Sequence, residues 1–262
     1  VLSGSGDMTI RLWDVSTGAE VKKFVAGETS SINIVRSVGF SPDGRQILTA
    51  ISGSEEYAGI RLWNVATGKE VIRFKTKIRS MQSAVFAPSG KYVLSGSADR
   101  IISLWNPVNG EEVRQFQFNE KPSALAWVWT VAFSPDGRTA LSGRGVTESS
   151  GGIHLWNVTT GRELRSFKGI PGAITSVAFS PDGKKAASVN IKGIIKLWDI
   201  STGNELRQLT SDDQTSMNTD NRTVAFSPDG QFILSGGDAS ARIWNASTGE
   251  EIVTLIGYED GE

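Results

Sequence analysis

The stretch that decides the fold is Ile10–Val21, IRLWDVSTGAEV, because it recurs five more times along the chain. Each copy has one Trp, a Gly five residues after it and a Glu two residues beyond that Gly. The other copies are IRLWNVATGKEV (60–71), ISLWNPVNGEEV (102–113), IHLWNVTTGREL (153–164), IKLWDISTGNEL (195–206) and ARIWNASTGEEI (241–252). Recurrence inside one chain reports a structural need that all six units share.

A second repeated signal is FSPDG, at 40–44, 133–137, 179–183 and 226–230, with the degenerate copy FAPSG at 86–90. Pro presets φ and Gly accepts a positive φ, so each copy predicts a tight turn. Short alternating stretches flank these turns and predict strands. The Thr-Gly dipeptide predicts a second hairpin. Each unit is therefore predicted to contain four short antiparallel strands, named a to d, with the Trp on strand c.

Strand c is apolar on both faces, because Ile and Leu point one way and Trp points the other. A sheet of this kind needs a similar sheet on each side, which a propeller supplies. Over residues 1–257 the chain resembles the WD-repeat family of β-propellers, in the style of its bacterial members, with SPDG and STG turns. The predicted fold class is all-β, a β-propeller of four-stranded antiparallel blades with six WD units in this chain.

The predicted units are residues 1–27, 28–77, 78–119, 120–169, 170–211 and 212–257, and residues 258–262 form a tail that begins a following segment. Strand counting gives six b-c-d sets but five a strands, because unit one lacks its innermost strand. We expect the chain to be an excerpt of a longer protein whose ring has six or seven blades. The alternative is a six-bladed ring with one three-stranded blade.

Composition argues against several classes of function. The chain has 27 basic and 28 acidic residues, which disfavours nucleic-acid binding and polybasic membrane contacts. It has no Cys and one His, so it offers no thiolate site and no His cluster for zinc. No cofactor and no enzymatic activity are predicted. The many carboxylates do not formally exclude a lyase or glycosidase active site in the central channel of the propeller. The Glu that recurs in every unit is interpreted as structural, in the c–d turn on the outer rim.

Family members often join a His, a Ser or Thr, an Asp and the strand-c Trp in a buried network. His154 lies inside strand c and is predicted to be an ordinary strand residue, so this network is not expected in any blade. Apolar packing is expected to hold the blades together. Three Asp residues remain at the family position and are expected to cap their own turns: Asp7, Asp99 and Asp238.

The extra residues of the longer units fall in the d–a connections and in the b–c connections at 52–59 and 142–152, which emerge at the same end of a blade. Variable loops on a rigid scaffold commonly carry function, so this loop-rich face is the candidate binding face. The residue six positions before each turn Pro lies at the inner edge of this loop-rich face. The candidate partner-binding residues are Arg36, Gln82, Trp129, Thr175 and Arg222 at that position, with Trp127 and Tyr57 nearby. The plainer interpretation is that Trp129 packs under its own loop and that both Arg are solvated.

The resemblance implies a non-catalytic, cytoplasmic platform that binds a protein, a peptide or other domains of its own chain. Bacterial relatives of this style often append such propellers to caspase-like, kinase or NTPase modules, which is the parent architecture that the resemblance implies. The alternative function is a structural or autoinhibitory domain packed within its own assembly, with no free partner. Neither a nucleic acid nor a membrane is expected as a partner.

Overall fold

A computed structural model describes residues 1–78, 80–119, 127–146, 150–167, 169–209, 222–237 and 240–256. Every regular element within these ranges is a β-strand. In this described part of the chain, no helix has the length and hydropathy needed to cross a membrane. The chain divides into two compact units, residues 1–117 and residues 118–262, which are described in turn.

The first unit contains three antiparallel sheets, here called blades 1 to 3. Blade 1 has three strands, β1 (Leu2–Gly4), β2 (Thr9–Trp13) and β3 (Glu20–Val25). Blade 2 has β4 (Ile34–Phe40), β5 (Gln46–Ser52), β6 (Gly59–Asn64) and β7 (Glu70–Arg73). Blade 3 has β8 (Met81–Phe86), β9 (Val93–Ser97), β10 (Ile102–Trp105) and β11 (Glu112–Phe116). The predicted absence of strand a from the first sheet is confirmed.

The second unit contains three four-stranded antiparallel sheets, blades 4 to 6. Blade 4 has β12 (Trp127–Phe133), β13 (Thr139–Val146), β14 (Ser150–Asn157) and β15 (Glu163–Phe167). Blade 5 has β16 (Ile174–Phe179), β17 (Lys185–Asn190), β18 (Ile195–Asp199) and β19 (Glu205–Leu209). Blade 6 has β20 (Thr223–Phe226), β21 (Phe232–Gly237), β22 (Ser240–Asn245) and β23 (Glu251–Ile256). The all-β propeller fold class is confirmed.

The a–b turn of blade 2 shows why its sequence is SPDG. Ser41 Oγ donates to Asp43 Oδ1 at 2.6 Å and accepts the backbone N–H of Gln46 at 2.9 Å. Gly44 takes a φ of +71°, which a residue with a Cβ rarely adopts. The hydrogen bond from Ser41 and that from the Arg45 N–H lower the pKa of Asp43. The local sequence therefore supplies the hydrogen bonds and the backbone conformation that close this hairpin.

The c–d turn of blade 1 is closed by a carboxylate in the same way. Asp14 Oδ1 accepts hydrogen bonds from the hydroxyl and N–H of Ser16 and from Thr17, at 2.6–3.0 Å. These bonds, that of the Ser16 hydroxyl first, lower the pKa of Asp14 to about 2. Asn64 and Asn157 use an amide oxygen at the same place, so the turn needs an acceptor and not a charge.

The strand-c Trp lies between neighbouring blades in both units. In the first unit Trp105 packs with Ile60 and Leu62 of the preceding blade, and its ring meets Phe74 edge-on at 5.8 Å. In the second unit Trp198 packs with Ile153 and Leu155 in the same way. Trp105 and Trp198 are 2% and 1% exposed. The predicted mutual burial of Trp-centred sheets is confirmed.

Polar contacts also recur in every blade, beside the apolar packing that was expected to hold the blades together. The indole Nε1 of each strand-c Trp donates to a hydroxyl on strand b at 2.8–3.1 Å, so half of the family's network is present without its His. The six pairs are Trp13–Ser3, Trp63–Thr49, Trp105–Ser95, Trp156–Ser142, Trp198–Ser188 and Trp244–Ser235. Each buried bond of this kind contributes about 1 kcal/mol.

The recurring Glu also has a partner, because it opens strand d and faces the residue two before the Trp. The prediction that it serves structure is supported, but it is bound to strand c and not left in the turn. The six pairs are Arg11–Glu20, Arg61–Glu70, Ser103–Glu112, His154–Glu163, Lys196–Glu205 and Arg242–Glu251. The partner on strand c is Arg in three blades and Ser, His or Lys in the others.

A β-bulge follows that Glu in strand d of every blade, because the residue after it has no opposite number on strand c. This extra residue is always apolar and always exposed. The six are Val21, Val71, Val113, Leu164, Leu206 and Ile252, with 46–58% of each residue accessible.

Three local expectations have definite outcomes. Asp7 caps its own turn as predicted, since its Oδ1 accepts the Thr9 N–H at 2.9 Å, whereas Asp238 and the tail 258–262 lie outside the described residues. The 52–59 connection of blade 2 is a loop between strands. The 142–152 connection of blade 4 is instead largely paired strand, because β13 and β14 extend to match Val146 with Ser150.

Candidate functional site

Four of the candidate residues occupy one special backbone position, the extra residue of a β-bulge in strand a. The pairing of strands a and b skips Arg36, Gln82, Trp129 and Thr175, each time between neighbours that pair normally. A bulge re-aims the side chain of its extra residue away from the regular pleat. The sequence rule of six residues before the turn Pro therefore located a real structural position. Arg222 directly precedes β20 of blade 6.

In the first unit the three candidates differ in accessibility. Arg36 is exposed. Gln82 is only 7% exposed and donates through its amide to Ser80 Oγ at 3.2 Å, so little of it is available to a partner. Tyr57 is half-buried against the apolar cluster between blades 1 and 2 and lies directly on Gly27. Of the three, Arg36 presents the most accessible side chain.

Arg61 holds the loop that carries Tyr57, and the sequence analysis did not single it out. It is 2% exposed, and its guanidinium donates to the carbonyls of Ala26 at 2.7 Å and Tyr57 at 2.5 Å. It also contacts Glu70 Oε2 at 3.2 Å. Burial lowers the pKa of Arg61, with Arg73 adding to the effect. The signal in the sequence was an Arg where three other blades have Ser, His or Lys.

In the second unit, Trp127 and Trp129 form an aromatic pair at the start of β12. Their ring centroids lie 5.0 Å apart and the ring planes are inclined by 40°. Trp127 is 40% exposed. Trp129 is half-buried, and its Nε1 donates to the carbonyl of Gly145 at 3.2 Å. Trp127 thus presents an indole that a bonded neighbour supports.

Thr175 stands at the bulge of the next blade and is less available. It is half-buried, and its hydroxyl donates to the Val189 carbonyl across the sheet at 3.3 Å.

A cleft opens between blades 5 and 6 beside Arg222. Its volume is about 40 Å³, and Arg222, Arg242, Ser235, Ser240 and Trp244 contribute side chains to its lining. Three Gly residues at the ends of strands and turns, 193, 236 and 237, complete the mouth. The sequence analysis named Arg222 here but missed Arg242 and the cleft itself. The missed signal is Gly237, because the other blades carry a side chain at this position, whereas Gly236 has a glycine equivalent in three of them.

The guanidinium of Arg222 lies against a backbone that has no room for a side chain. A Cβ placed on Gly193 would stand 2.2 Å from Arg222 Nη1, and one on Gly237 would stand 3.0 Å from its Cγ. Both glycines have a positive φ. The fold thus reserves space for the Arg222 side chain between two turns.

The His154–Glu163 pair of blade 4 has the residue types of an acid–base couple but is closed off. His154 Nδ1 lies 2.7 Å from Glu163 Oε1, and their side chains are 5% and 6% exposed. Phe118 covers the imidazole edge-on at 5.0 Å. Burial acts to raise the pKa of Glu163, but hydrogen bonds from His154 and the Asn119 N–H outweigh it and hold that pKa below its usual value. The pair fits a structural role.

No group of three or more His, Cys, Asp or Glu side chains within the described ranges is arranged to hold a metal ion. The accessible side chains Trp127 and Arg36 of the candidate surface are of residue types that are enriched at binding hot spots.

Comparison with known proteins identifies relatives of this chain, and two of them are described first. Over 190 residues, 69% of this chain, it is 30% identical to eukaryotic translation initiation factor 3 subunit I of Emericella nidulans. Over 258 residues, 98% of this chain, it is 23% identical to autophagy-related protein 16 of Arabidopsis thaliana. The chain spans about half the length of these relatives, 54% and 47%.

A third relative is human apoptotic protease-activating factor 1, which is 26% identical to this chain over 198 residues. The matched part is 15% of the length of that relative. These three relatives are eukaryotic, so the bacterial style of the turns stays a prediction. The model of the family described as WD domain, G-beta repeat matches residues 68–106, 114–157, 161–199 and 218–245, more than half of the chain. The chain therefore belongs to the WD domain, G-beta repeat family.

Proposed function

We propose that this protein is a non-catalytic platform that binds another protein through the loop-bearing end of its blades. The observation that carries this proposal is the pair Trp127 and Trp129, an exposed indole supported by a hydrogen-bonded one. Trp is the residue most enriched at binding hot spots, and its rigid side chain loses little conformational freedom on binding. One relative is named as a subunit of a translation initiation factor, so that relative belongs to a multisubunit assembly.

Arg222 and Thr175 belong to the same surface of the second unit, and Arg36, Tyr57 and Gln82 provide a corresponding set in the first. Arg36 and Arg222 supply charge and Tyr57 an aromatic ring, whereas the burial of Gln82 limits it to supporting the bulge. The stiffness of the scaffold supports this assignment, because side chains fixed by bulges and by Arg61 need little ordering when a partner binds. A cytoplasmic location and attachment to a bacterial signalling chain complete the proposal.

The experiment uses the full chain as bait and compares variants matched in chemistry. Trp127→Ala and Arg222→Glu alter the proposed surface, and Leu206→Ala removes an exposed apolar side chain from an outer strand of the same unit. Captured proteins are identified, purified and titrated against each variant. We expect at least one captured protein to bind both site variants about tenfold or more weakly than it binds the parent chain. A tenfold loss corresponds to about 1.4 kcal/mol of binding free energy.

The control variant should bind that protein as the parent chain does, and circular dichroism should show all three variants folded. The proposal is wrong if the site variants bind as well as the parent chain, or if Leu206→Ala weakens binding equally.

A further inference from the structure

The c–d turn of blade 3 differs in sequence from the other five. Its fourth residue after the Trp is Asn109, where the other blades carry Thr, and Gly110 follows it. No other Asn in the sequence is followed by Gly. Asn109 is exposed at the tip of the turn, beside Val108, which is 82% exposed. Blade 3 therefore presents an amide side chain at the surface, directly before a residue that has no Cβ.

This turn also lacks one hydrogen bond that closes the other five. In those turns, the residue after the Trp accepts the N–H of the Thr through its side-chain oxygen, at 2.8–2.9 Å. In blade 3 the corresponding oxygen, Asn106 Oδ1, accepts the N–H of Val108 at 2.8 Å instead. The N–H of Asn109 has no acceptor among the described residues, which include the whole of this turn. Opening of the turn around Asn109 therefore breaks fewer bonds than opening of the equivalent turns.

The contacts of the Asn109 amide favour attack on its side-chain carbon. The N–H of Glu111 donates to Asn109 Oδ1 at 3.1 Å. This oxygen gains negative charge when a nucleophile adds to Cγ, and a backbone N–H aimed at it stabilises that charge. The nearest nucleophile along the chain is the backbone nitrogen of Gly110, which donates to the Asn106 carbonyl at 2.9 Å while the turn is closed. Opening of the turn frees this nitrogen, and Gly110 has no side chain to hinder its approach.

We propose that Asn109 is a modification site, at which the folded protein undergoes deamidation. The Gly110 nitrogen gives its proton to solvent and bonds to Asn109 Cγ, and the bond between Cγ and Nδ2 breaks. Nδ2 takes a proton from water and leaves as ammonia. Water then opens the five-membered imide without any oxidant or reductant. Opening at the backbone carbonyl carbon gives isoaspartate, and opening at Cγ gives aspartate.

The packing of this turn on blade 2 gives the modification a structural consequence. The carbonyl of Gly110 accepts the N–H of Lys75, which follows β7, at 3.0 Å. A Cβ on Gly110 would stand 3.2 Å from the Arg73 carbonyl oxygen and 3.3 Å from Phe74 Cα, so the turn lies tightly against this backbone. Isoaspartate adds one carbon atom to the main chain at residue 109. We expect the bond from Lys75 to weaken and the junction between blades 2 and 3 to open more often.

The test incubates the full chain at neutral pH for several weeks and follows every Asn by mass spectrometry of proteolytic peptides. Asn204 is the internal control, because it is exposed in the c–d turn of blade 5 but is followed by Glu205. Asn109→Thr is the matched variant, because it installs the residue that the other five turns carry. A synthetic peptide of residues 102–116 gives the rate of the same sequence without the fold.

Isoaspartate and aspartate should accumulate at residue 109 before any product appears at Asn204, and Asn109→Thr should abolish the early release of ammonia. The folded chain should convert more slowly than the peptide, because the closed turn holds the Gly110 nitrogen. The proposal is overturned if Asn204 converts as fast as Asn109. It is also overturned if the folded chain shows no product by the time the peptide has converted completely.

Hydrogen exchange measures the consequence for the junction between blades 2 and 3. The Lys75 N–H should exchange about fivefold or more faster in the converted chain than in the fresh chain. Asn109→Asp adds the negative charge without the extra main-chain carbon, so it should change this exchange less than about twofold. Equal exchange in the converted and fresh chains would overturn the structural consequence, and an equal effect of Asn109→Asp would assign it to charge instead of main-chain length.

Discussion

Glu163→Ala tests whether the buried pair of blade 4 stabilises the protein as its geometry implies. The change removes the acceptor for His154 Nδ1, at 2.7 Å, and for the Asn119 N–H, at 2.9 Å. Both side chains of the pair are about nineteen-twentieths buried, so water does not fully replace the bond from His154, whereas the exposed Asn119 N–H can bond to water instead. An unsatisfied buried donor costs about 1–3 kcal/mol, and breaking a buried pair costs about 3–5 kcal/mol. We expect a loss of about 3 kcal/mol.

The assay is urea unfolding followed by tryptophan fluorescence, together with amide hydrogen exchange in β14, which isolates opening of this blade. Glu111→Ala is the control, because Glu111 and its partner Lys75 are 56% and 68% exposed and joined at 2.9 Å. Exposed pairs contribute about 0–1 kcal/mol. Equal losses for the two variants would refute the argument that burial makes the blade 4 pair important.

The same pair predicts a pH dependence with a definite sign. Because the pKa of Glu163 is lower in the folded protein, its contribution is fully present above about pH 4.5, the ordinary value for Glu. It is lost as the pH falls through the lower folded value. Below pH 4.5, the stability difference between the parent chain and Glu163→Ala should therefore shrink as the pH falls. A difference that grows as the pH falls below 4.5 would contradict this sign.

Four further variants test the turns and the buried indole bonds. Gly110→Ala should destabilise by about 1 kcal/mol more than Gly18→Ala in thermal unfolding, since both have φ near +70° but only Gly110 has backbone within 3.2 Å of an added Cβ. Ser188→Ala should cost about 1–2 kcal/mol in urea unfolding, because the Trp198 Nε1 loses its acceptor. Asp14→Asn should lower stability at neutral pH, because an amide oxygen accepts these hydrogen bonds less strongly than the carboxylate, and the Asp14 carboxyl should titrate near 2 by NMR; a midpoint near 4 would refute the turn's hydrogen bonding.

The sequence predicted what repeats and missed what a single blade does differently. Six copies of one motif reveal the strands, their turns and the burial of the strand-c Trp, such as Trp105 and Trp198. A comparison of the copies separates the residues that all six share from those that vary in one blade. The pairing of residue 154 with Glu163 was missed because its strand-c member is Arg, Ser, His or Lys in different blades, so no residue type recurs there. What recurs is a hydrogen-bond donor, and a composition count does not reveal it.

The candidate surface was predicted in position but not in accessibility. Counting back from the turn Pro located Trp129, Arg36 and Gln82 at equivalent bulges, since the hairpin fixes the register. The register does not fix the exposure of a side chain at a bulge, since Gln82 is 7% exposed whereas Arg36 is exposed. The cleft beside Arg222 also required coordinates, because two blades form it.

The apolar bulge in strand d has a consequence for how these molecules behave when crowded. An outermost strand presents unpaired N–H and C=O groups to which a strand of another molecule can add, and such addition propagates into fibres. A bulge interrupts the regular spacing of those groups and increases the local twist. An incoming strand would meet this interruption at Val21, Leu164 and their equivalents, so its ladder would stop after a few bonds. The side chains that look most prone to aggregation thus occupy the position least able to extend a sheet.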